Sequence, residues 1–314
     1  MKSRIPVSVI GGYLGAGKTT LVNHLLRNAR GLRLAILVND FGALPIDADL
    51  IEAQTGDLIS IAGGCVCCSF GSDLMGALMQ LAERVPAPDH VLIETSGVAM
   101  PDSVARSVTL LGGLALDSVI VLADAESVRT RASERYMGDT ITRQLAEADL
   151  VILNKIDLVD YEALTALRTW LSGAAPRAAL IESVRAEVPV DLLFGLERVQ
   201  STDLGSGWLS SGKLRADESA AARYESSSFA PAGPLDVDRL AQALAQPVCG
   251  LVRAKGVLRD ADGTLKTLHL VGTRSEVAAY PGSAASATGL ACIGLRGQID
   301  RAAIERALSR AASR

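Results

Sequence analysis

Nowhere does the chain hold the roughly 18 consecutive apolar residues that a membrane-spanning helix requires, although 49% of its 314 residues are hydrophobic and its mean hydropathy is +0.28. No membrane partner is expected. The surplus of apolar residues then belongs inside, in buried parallel strands that read as unbroken Val/Ile/Leu runs. The opening residues, Met1-Lys2-Ser3-Arg4-Ile5-Pro6, lead straight into the first such run without an apolar signal region or cleavage site, so the expectation is a cytoplasmic protein. Basic residues form no stripe, aromatics make up 4% of the chain, and the net charge is −4 with a pI near 5.5. Nucleic acid is therefore excluded as an expected partner. Histidine is scarce: His24, His90 and His269 stand alone and read as satisfied polar residues rather than ligands. Cysteine is scarce too, and the odd count of five argues against a disulfide framework. Three of the five are crowded between positions 65 and 68, which in a reducing compartment points to metal binding or thiol chemistry. Cys249 and Cys292 sit singly in apolar runs and read as core.

What the chain does have is a glycine-rich stretch, Gly11-Gly12-Tyr13-Leu14-Gly15-Ala16-Gly17-Lys18-Thr19-Thr20. From Gly12 it satisfies the spacing of a phosphate-binding loop, and it lies between an apolar run at Val7 to Ile10 and an amphipathic segment at Thr19 to Arg30. Strand, loop and helix follow in the order the motif requires. Glycines let the backbone turn its N–H groups inward, and the start of the helix adds the positive end of its dipole. Gly15, Ala16, Gly17, Lys18, Thr19 and Thr20 are thus the expected triphosphate cradle. In it Lys18 would reach the β- and γ-phosphates and the Thr19 hydroxyl would be a ligand of Mg²⁺.

Further apolar runs recur at Leu34 to Val38, Val91 to Ile93, Val119 to Leu122, Leu150 to Leu153 and Ala178 to Ile181, with a short alternating strand at Asp57 to Ile61. Most are separated by helical patterns, such as Ser72 to Arg84, whose Leu74, Leu78 and Leu81 share a face. Alternation of this kind predicts an α/β domain with a mainly parallel sheet flanked by helices, and ligands bound at the carboxyl ends of the strands. Near residue 196 the pattern fails. The expected domains are a P-loop domain at 1–198, a Gly/Ser/Ala-rich linker at 199–234, and a small C-terminal α+β domain at 235–314. In the latter, Asp260-Ala261-Asp262-Gly263 marks a hairpin between Cys249 to Leu258 and Thr264 to Val271, a strand runs from Ala291 to Leu295, and a closing helix presents Ile304 and Leu308 on one side.

Three groups of residues carry chemistry beyond the phosphate loop. Asn154-Lys155-Ile156-Asp157 follows a buried strand. The carboxylate of Asp157 can accept two hydrogen bonds from the ring N–H and exocyclic amine of guanine, for which adenine has no matching pair, so the nucleotide is read as GTP. The Lys155 stem can lie across the base, and Asn154 can bridge to the phosphate loop. Glu94, ending its strand before Thr95-Ser96-Gly97, can hold a Mg²⁺-bound or attacking water, with the Gly97 N–H sensing the γ-phosphate. Asp40 competes for that job, and either carboxylate could instead cap a helix. Cys65 and Cys67 point the same way from an extended backbone, and a turn could bring in Cys68. Three thiolates suit Zn²⁺ or another thiophilic ion; three buried thiols or a redox switch are the alternatives.

With these pieces in order the chain resembles the CobW family of P-loop GTPases, which includes metallochaperones for zinc and cobalt. The matching residues are those at 11–20, Val38-Asn39-Asp40-Phe41-Gly42, Gly63-Gly64-Cys65-Val66-Cys67-Cys68, Glu94-Thr95-Ser96-Gly97 and Asn154-Lys155-Ile156-Asp157, with Arg253-Ala254-Lys255-Gly256 like the start of the family's C-terminal domain. The resemblance implies GTP hydrolysis with Mg²⁺, catalysed with Lys18, Glu94 and Asp40. It also implies a Zn²⁺ or Co²⁺ site at Cys65, Cys67 and Cys68 that empties to a client metalloenzyme, and a homodimer formed with GTP or metal is compatible with it. Two features depart from the family. Asp40 stands where many relatives have glutamate, and the linker contains no histidine-rich tract, so metal storage there is not expected. The alternative function is a regulatory GTPase whose cysteine loop senses oxidation without delivering metal.

Overall fold

The computed structural model describes residues 4–29, 32–38, 73–194, 223–280 and 288–312. Asp40, Cys65, Cys67, Cys68 and the expected strand at 57–61 lie outside the described residues. Two compact units divide between Glu187 and Val188.

The first unit is built on a six-stranded sheet of β1 (Ile5–Gly12), β2 (Leu34–Val38), β3 (His90–Glu94), β4 (Leu114–Asp124), β5 (Leu150–Asn154) and β6 (Ala179–Glu182). Their order is β2-β3-β1-β4-β5-β6, and every neighbouring pair is parallel. This is the architecture that the alternating apolar runs predict. Parallel strands need crossovers, supplied here by α1 (Lys18–Asn28), α2 (Asp73–Glu83), α3 (Pro101–Thr109), α4 (Val128–Ala132), α5 (Gly138–Glu147) and α6 (Tyr161–Ala174). The strands are apolar because helices cover them. Val7, Val9, Val91 and Ile93 pack with Leu74, Leu78 and Leu81 of α2 in one cluster, and Val121, Val151 and Leu153 pack with Ile141, Leu145 and Leu171 in another. His90, fully buried at the start of β3, is hydrogen-bonded to Ser8 Oγ at 2.9 Å.

The second unit opens with α7 (Val190–Phe194) and continues through β7 (Tyr224–Phe229), α8 (Val237–Leu244), β8 (Leu251–Arg259), β9 (Leu265–Val271), β10 (Arg274–Ala279), β11 (Gly289–Leu295) and α9 (Arg301–Ala311). Its five strands form an antiparallel sheet in the order β10-β9-β8-β11-β7. Val237, Leu240 and Leu244 of α8 and Ile304 of α9 are buried in one core with Leu258, Leu268, Leu290 and the two lone cysteines. Each large aliphatic side chain buried there contributes about 2 kcal/mol. The helix starts are written locally: Asp236 and Asp300 accept hydrogen bonds from Arg239 N and Ala303 N at 2.9 and 2.8 Å. Two strands fall outside the sequence reading. β7 lies within the stretch taken as linker, because Tyr-Glu-Ser-Ser-Ser-Phe pairs on one edge only and alternates too weakly to read as a strand. β10 is the opposite edge, largely exposed, so selection for apolar residues is relaxed on it. Arg253 of β8 is 2% exposed, and its Nη1 donates to Leu193 O of α7 at 2.8 Å. A buried guanidinium has to be satisfied in this way or it would be severely destabilising.

Candidate functional site

At the carboxyl edge of the parallel sheet, four adjacent strands end in the residues that carry chemistry. The register places Glu94 beside Ile10, Leu122 beside Gly12, and Asp124 beside Asn154. Most α-helices here start on an ordinary backbone, but α1 starts from Gly17 at φ 107°, a residue with no side chain to cap the helix. A helix start of this kind suits an anion. Only glycine suits position 17, since a Cβ would lie 2.5 Å from Asn154 Nδ2 and the φ is left-handed. At Gly15, also at positive φ, nothing lies within 4 Å of where a Cβ would be, so the loop faces open space. Lys18 is 8% exposed and its Nζ donates to Gly12 O at 2.9 Å and Tyr13 O at 3.4 Å, which folds the ammonium back over the loop. Thr20 is exposed at the same helix start. These features fit a triphosphate: a glycine loop at a helix start, a cation and space.

Thr19 Oγ1 donates to Glu94 Oε1 at 3.3 Å, so the hydroxyl expected on Mg²⁺ and the carboxylate expected near the γ-phosphate are neighbours. Glu94 is 3% exposed. The next residues are pinned to β1, with Thr95 N and Thr95 Oγ1 both donating to Ile10 O, at 2.8 and 3.2 Å. Gly97 approaches Leu14 so closely that a Cβ would sit 2.8 Å from Leu14 N. Asp40, the competing carboxylate, falls outside the described residues, as do the three clustered cysteines.

Asn154 is the hinge of the other half. Buried to 2% exposure, it donates from Nδ2 to Ala16 O at 2.9 Å, and its Oδ1 accepts from Ser183 Oγ at 3.1 Å and from Ala186 N at 2.8 Å. One amide thereby ties the phosphate loop, the end of β5 and the loop after β6 together. Lys155, Arg185 and Ala186 adopt left-handed φ of 62°, 52° and 56° around it. Each such non-glycine residue costs about 1–3 kcal/mol and persists only where neighbours over-determine it. Lys155 Nζ meets Asp124 Oδ2 at 2.6 Å, while Asp124 Oδ1 accepts from Glu126 N at 2.9 Å. Asp157 stands exposed on the short 3₁₀ turn Ile156–Leu158, available to a ligand.

The sequence reading did not single out four residues of this network. Asp124 ends a strand in the register of Asn154, a signal that was present; Ser183 likewise follows β6. Ala186 contributes only backbone, and Gln144 lies inside an amphipathic helix, so neither had a motif to mark it. Gln144 is 1% exposed and donates from Nε2 to Ala99 O at 2.7 Å and Gly97 O at 3.4 Å.

A parallel sheet whose first strand runs through a phosphate loop into a bare helix start, with the Asn154 network beside it, defines a P-loop nucleotide-binding protein. The nucleotide-binding domain model of CobW/HypB/UreG matches residues 6–182, and the cobalamin synthesis protein cobW C-terminal domain model matches residues 224–312. The chain belongs to the CobW/HypB/UreG family. It is similar to the zinc chaperone CobW of Pseudomonas aeruginosa, 34% identical over 62% of this chain and 60% of that protein. It is also similar to the zinc chaperone YjiA of Escherichia coli, 32% identical over 60% of this chain and 61% of the relative, and to the zinc-regulated GTPase metalloprotein activator 1 of Dictyostelium discoideum, 29% identical over 66% and 52%. The matched region thus spans between half and two thirds of these relatives' lengths. Among the described residues no helix is long and apolar enough to cross a membrane.

Proposed function

We propose that the protein is a GTP-hydrolysing metallochaperone: it holds a thiophilic divalent ion, zinc or cobalt, on Cys65, Cys67 and Cys68 and hands it to a client metalloenzyme. The observation that carries the nucleotide half is Asn154, whose single buried amide joins Ala16 of the phosphate loop to the Ser183–Ala186 loop, so that base and phosphate recognition move as one unit. The relatives' names, zinc chaperone and zinc-regulated GTPase, support the metal half.

In this reading Lys18 exchanges the carbonyls of Gly12 and Tyr13 for phosphate oxygens, a swap between acceptors that needs no backbone movement. Thr19 releases Glu94 in the same way when its hydroxyl turns to Mg²⁺. Thr19 would hold Mg²⁺ with Glu94 nearby, and the ion would supply positive charge to offset the negative charge that develops in phosphoryl transfer. Glu94, buried beside Thr19, orients a water in line with the γ-phosphate, a task for which Asp40 is the competing candidate. Asp157 reads the guanine edge, with the Lys155 stem held across the base by its ion pair to Asp124. The cysteine loop lies in sequence between Asp40 and Glu94, the two carboxylates that compete for the water-positioning role. Cleavage removes the γ-phosphate contacts on both sides of it and so loosens the thiolate grip.

A ligand shifts an equilibrium only by its difference in affinity for the two states. Zinc and cobalt affinities of the full chain, measured with a non-hydrolysable GTP analogue and with GDP, should therefore differ by about tenfold or more, tighter with the GTP analogue, matching a coupling of roughly 1–3 kcal/mol. Equal affinities would remove delivery from the assignment. Reductively purified protein that takes up no ion, and whose thiols oxidise reversibly, would move it to redox sensing.

A further inference from the structure

The sequence assigns the sensing of the γ-phosphate to the Gly97 N–H, but nothing in β3 itself fixes where that N–H points. The loop leaves β3 at Glu94 and turns at Ser96, with Ala99 N donating to Ser96 O at 3.1 Å. On one side Gly97 is against the phosphate loop, within contact of Leu14 N and Cγ. On the other side lies Gln144 of α5, 1% exposed, whose Nε2 donates to both Ala99 O and Gly97 O. The Gly97 carbonyl and the Gly97 N–H flank one Cα, so holding the first constrains the second. The Ser96 hydroxyl is buried in this turn without a hydrogen-bond partner among the described residues. α5 is in turn rigid, because Ile141 and Leu145 are in the core on its inward face.

We infer that Gln144 is the positioning residue for the hydrolysis proposed here: its amide clamps the Glu94–Gly97 loop between the phosphate loop and α5 in the orientation that receives the γ-phosphate. Gln144 also lines a cleft with Tyr13, Leu14, Asp124 and Arg131.

The inference depends on the GTP-hydrolysing reading, and the test separates the two. Gln144→Met keeps the volume and removes the donor; Gln144→Glu replaces the donor with an acceptor facing two carbonyl oxygens. Single-turnover GTP hydrolysis by the full chain should fall about tenfold or more in the methionine variant, and affinity for the non-hydrolysable analogue should fall with it. GDP affinity should stay within about twofold of wild type, since GDP lacks the phosphate that the loop receives. The glutamate variant should be worse at pH 8 and recover relative to wild type near pH 6, where a buried carboxyl regains a proton and can donate. Unchanged hydrolysis in the folded variants, or equal losses for GDP and the GTP analogue, would overturn the role of Gln144. Wild type that binds no guanine nucleotide would instead overturn the function itself. Hydrogen exchange on wild type gives the same answer without a substitution: peptides 94–100 and 138–147 should slow together when the GTP analogue replaces GDP, and slowing of 94–100 alone would refute the clamp.

Discussion

Asn154 and Asp157 stand three residues apart and do different work because one is buried and the other is not. Asn154 satisfies three partners from inside, and its loss leaves Ala16 O and Ala186 N facing a void while the left-handed Ala186 loses the hydrogen bond that holds it. Asn154→Ala should therefore lower unfolding free energy by about 2–4 kcal/mol, measured by denaturant titration, and weaken GTP and GDP by similar factors. Asp157 is exposed on its 3₁₀ turn. Asp157→Asn should leave stability within about 0.5 kcal/mol of wild type and weaken GTP roughly a hundredfold while xanthosine triphosphate gains, because the amide now donates where it accepted. Unaltered guanine preference would take Asp157 out of base recognition. Asp124 belongs to the same scale. It holds Lys155 at 2.6 Å, so the lysine's charge is partly neutralised by the protein and its stem is fixed.

Elements show how far local chemistry decides the fold, and the turns of the second unit give a controlled comparison. Gly250 and Gly263 both sit at positive φ, 66° and 84°, but a Cβ at Gly250 would lie 1.9 Å from Gln298 O while one at Gly263 meets nothing within 4 Å. Gly263→Ala should cost about 1 kcal/mol, the left-handed penalty alone. Gly250→Ala should cost at least about 2 kcal/mol more, since backbone has to move; equal losses in chemical denaturation would show that the close approach relaxes freely. The hairpin around Asp260-Ala261-Asp262-Gly263 was legible for the same reason it is stable. Gly263 N donates back to Asp260 O at 2.9 Å, and glycine supplies the φ that closes the turn. The parallel strands were legible from their unbroken apolar runs, and α2 from Leu74, Leu78 and Leu81, which all enter one core. β7 and β10 were not, because an edge strand with one bonded side and one wet face carries little of the pattern that buried strands must have. Gln144 was illegible for another reason: its partners are carbonyl oxygens from 45 and 47 residues away, and no sequence spacing encodes a contact to backbone.

At the scale of the whole molecule, the five cysteines divide into two chemical populations, and the division tests the metal assignment without knowing the client. Cys249 and Cys292 belong to the core of the second unit, 1% and 0% exposed. Burial in apolar surroundings raises both thiols, Cys292 up to about 12, with the neighbouring Cys249 adding to the shift. Raised thiols hold less of the thiolate, which is both the nucleophile and the metal ligand. Buried as they are, both should react slowly with a disulfide reagent while the fold is intact. In the proposed assignment the ion is held by the other three cysteines, Cys65, Cys67 and Cys68. Reduced, metal-free protein at pH 8 should show at most three fast-reacting thiols, and one equivalent of zinc should protect them. The C65A/C67A/C68A variant should show none until denaturant is added, bind zinc at least a hundredfold more weakly, and keep its GDP affinity within about twofold, as the proposed site assigns the ion, and not the nucleotide, to these three thiols. Fast thiols surviving in that variant would mean the second unit opens in solution. Zinc retained at wild-type affinity would place the ion elsewhere on the chain and leave the cysteine loop to redox chemistry.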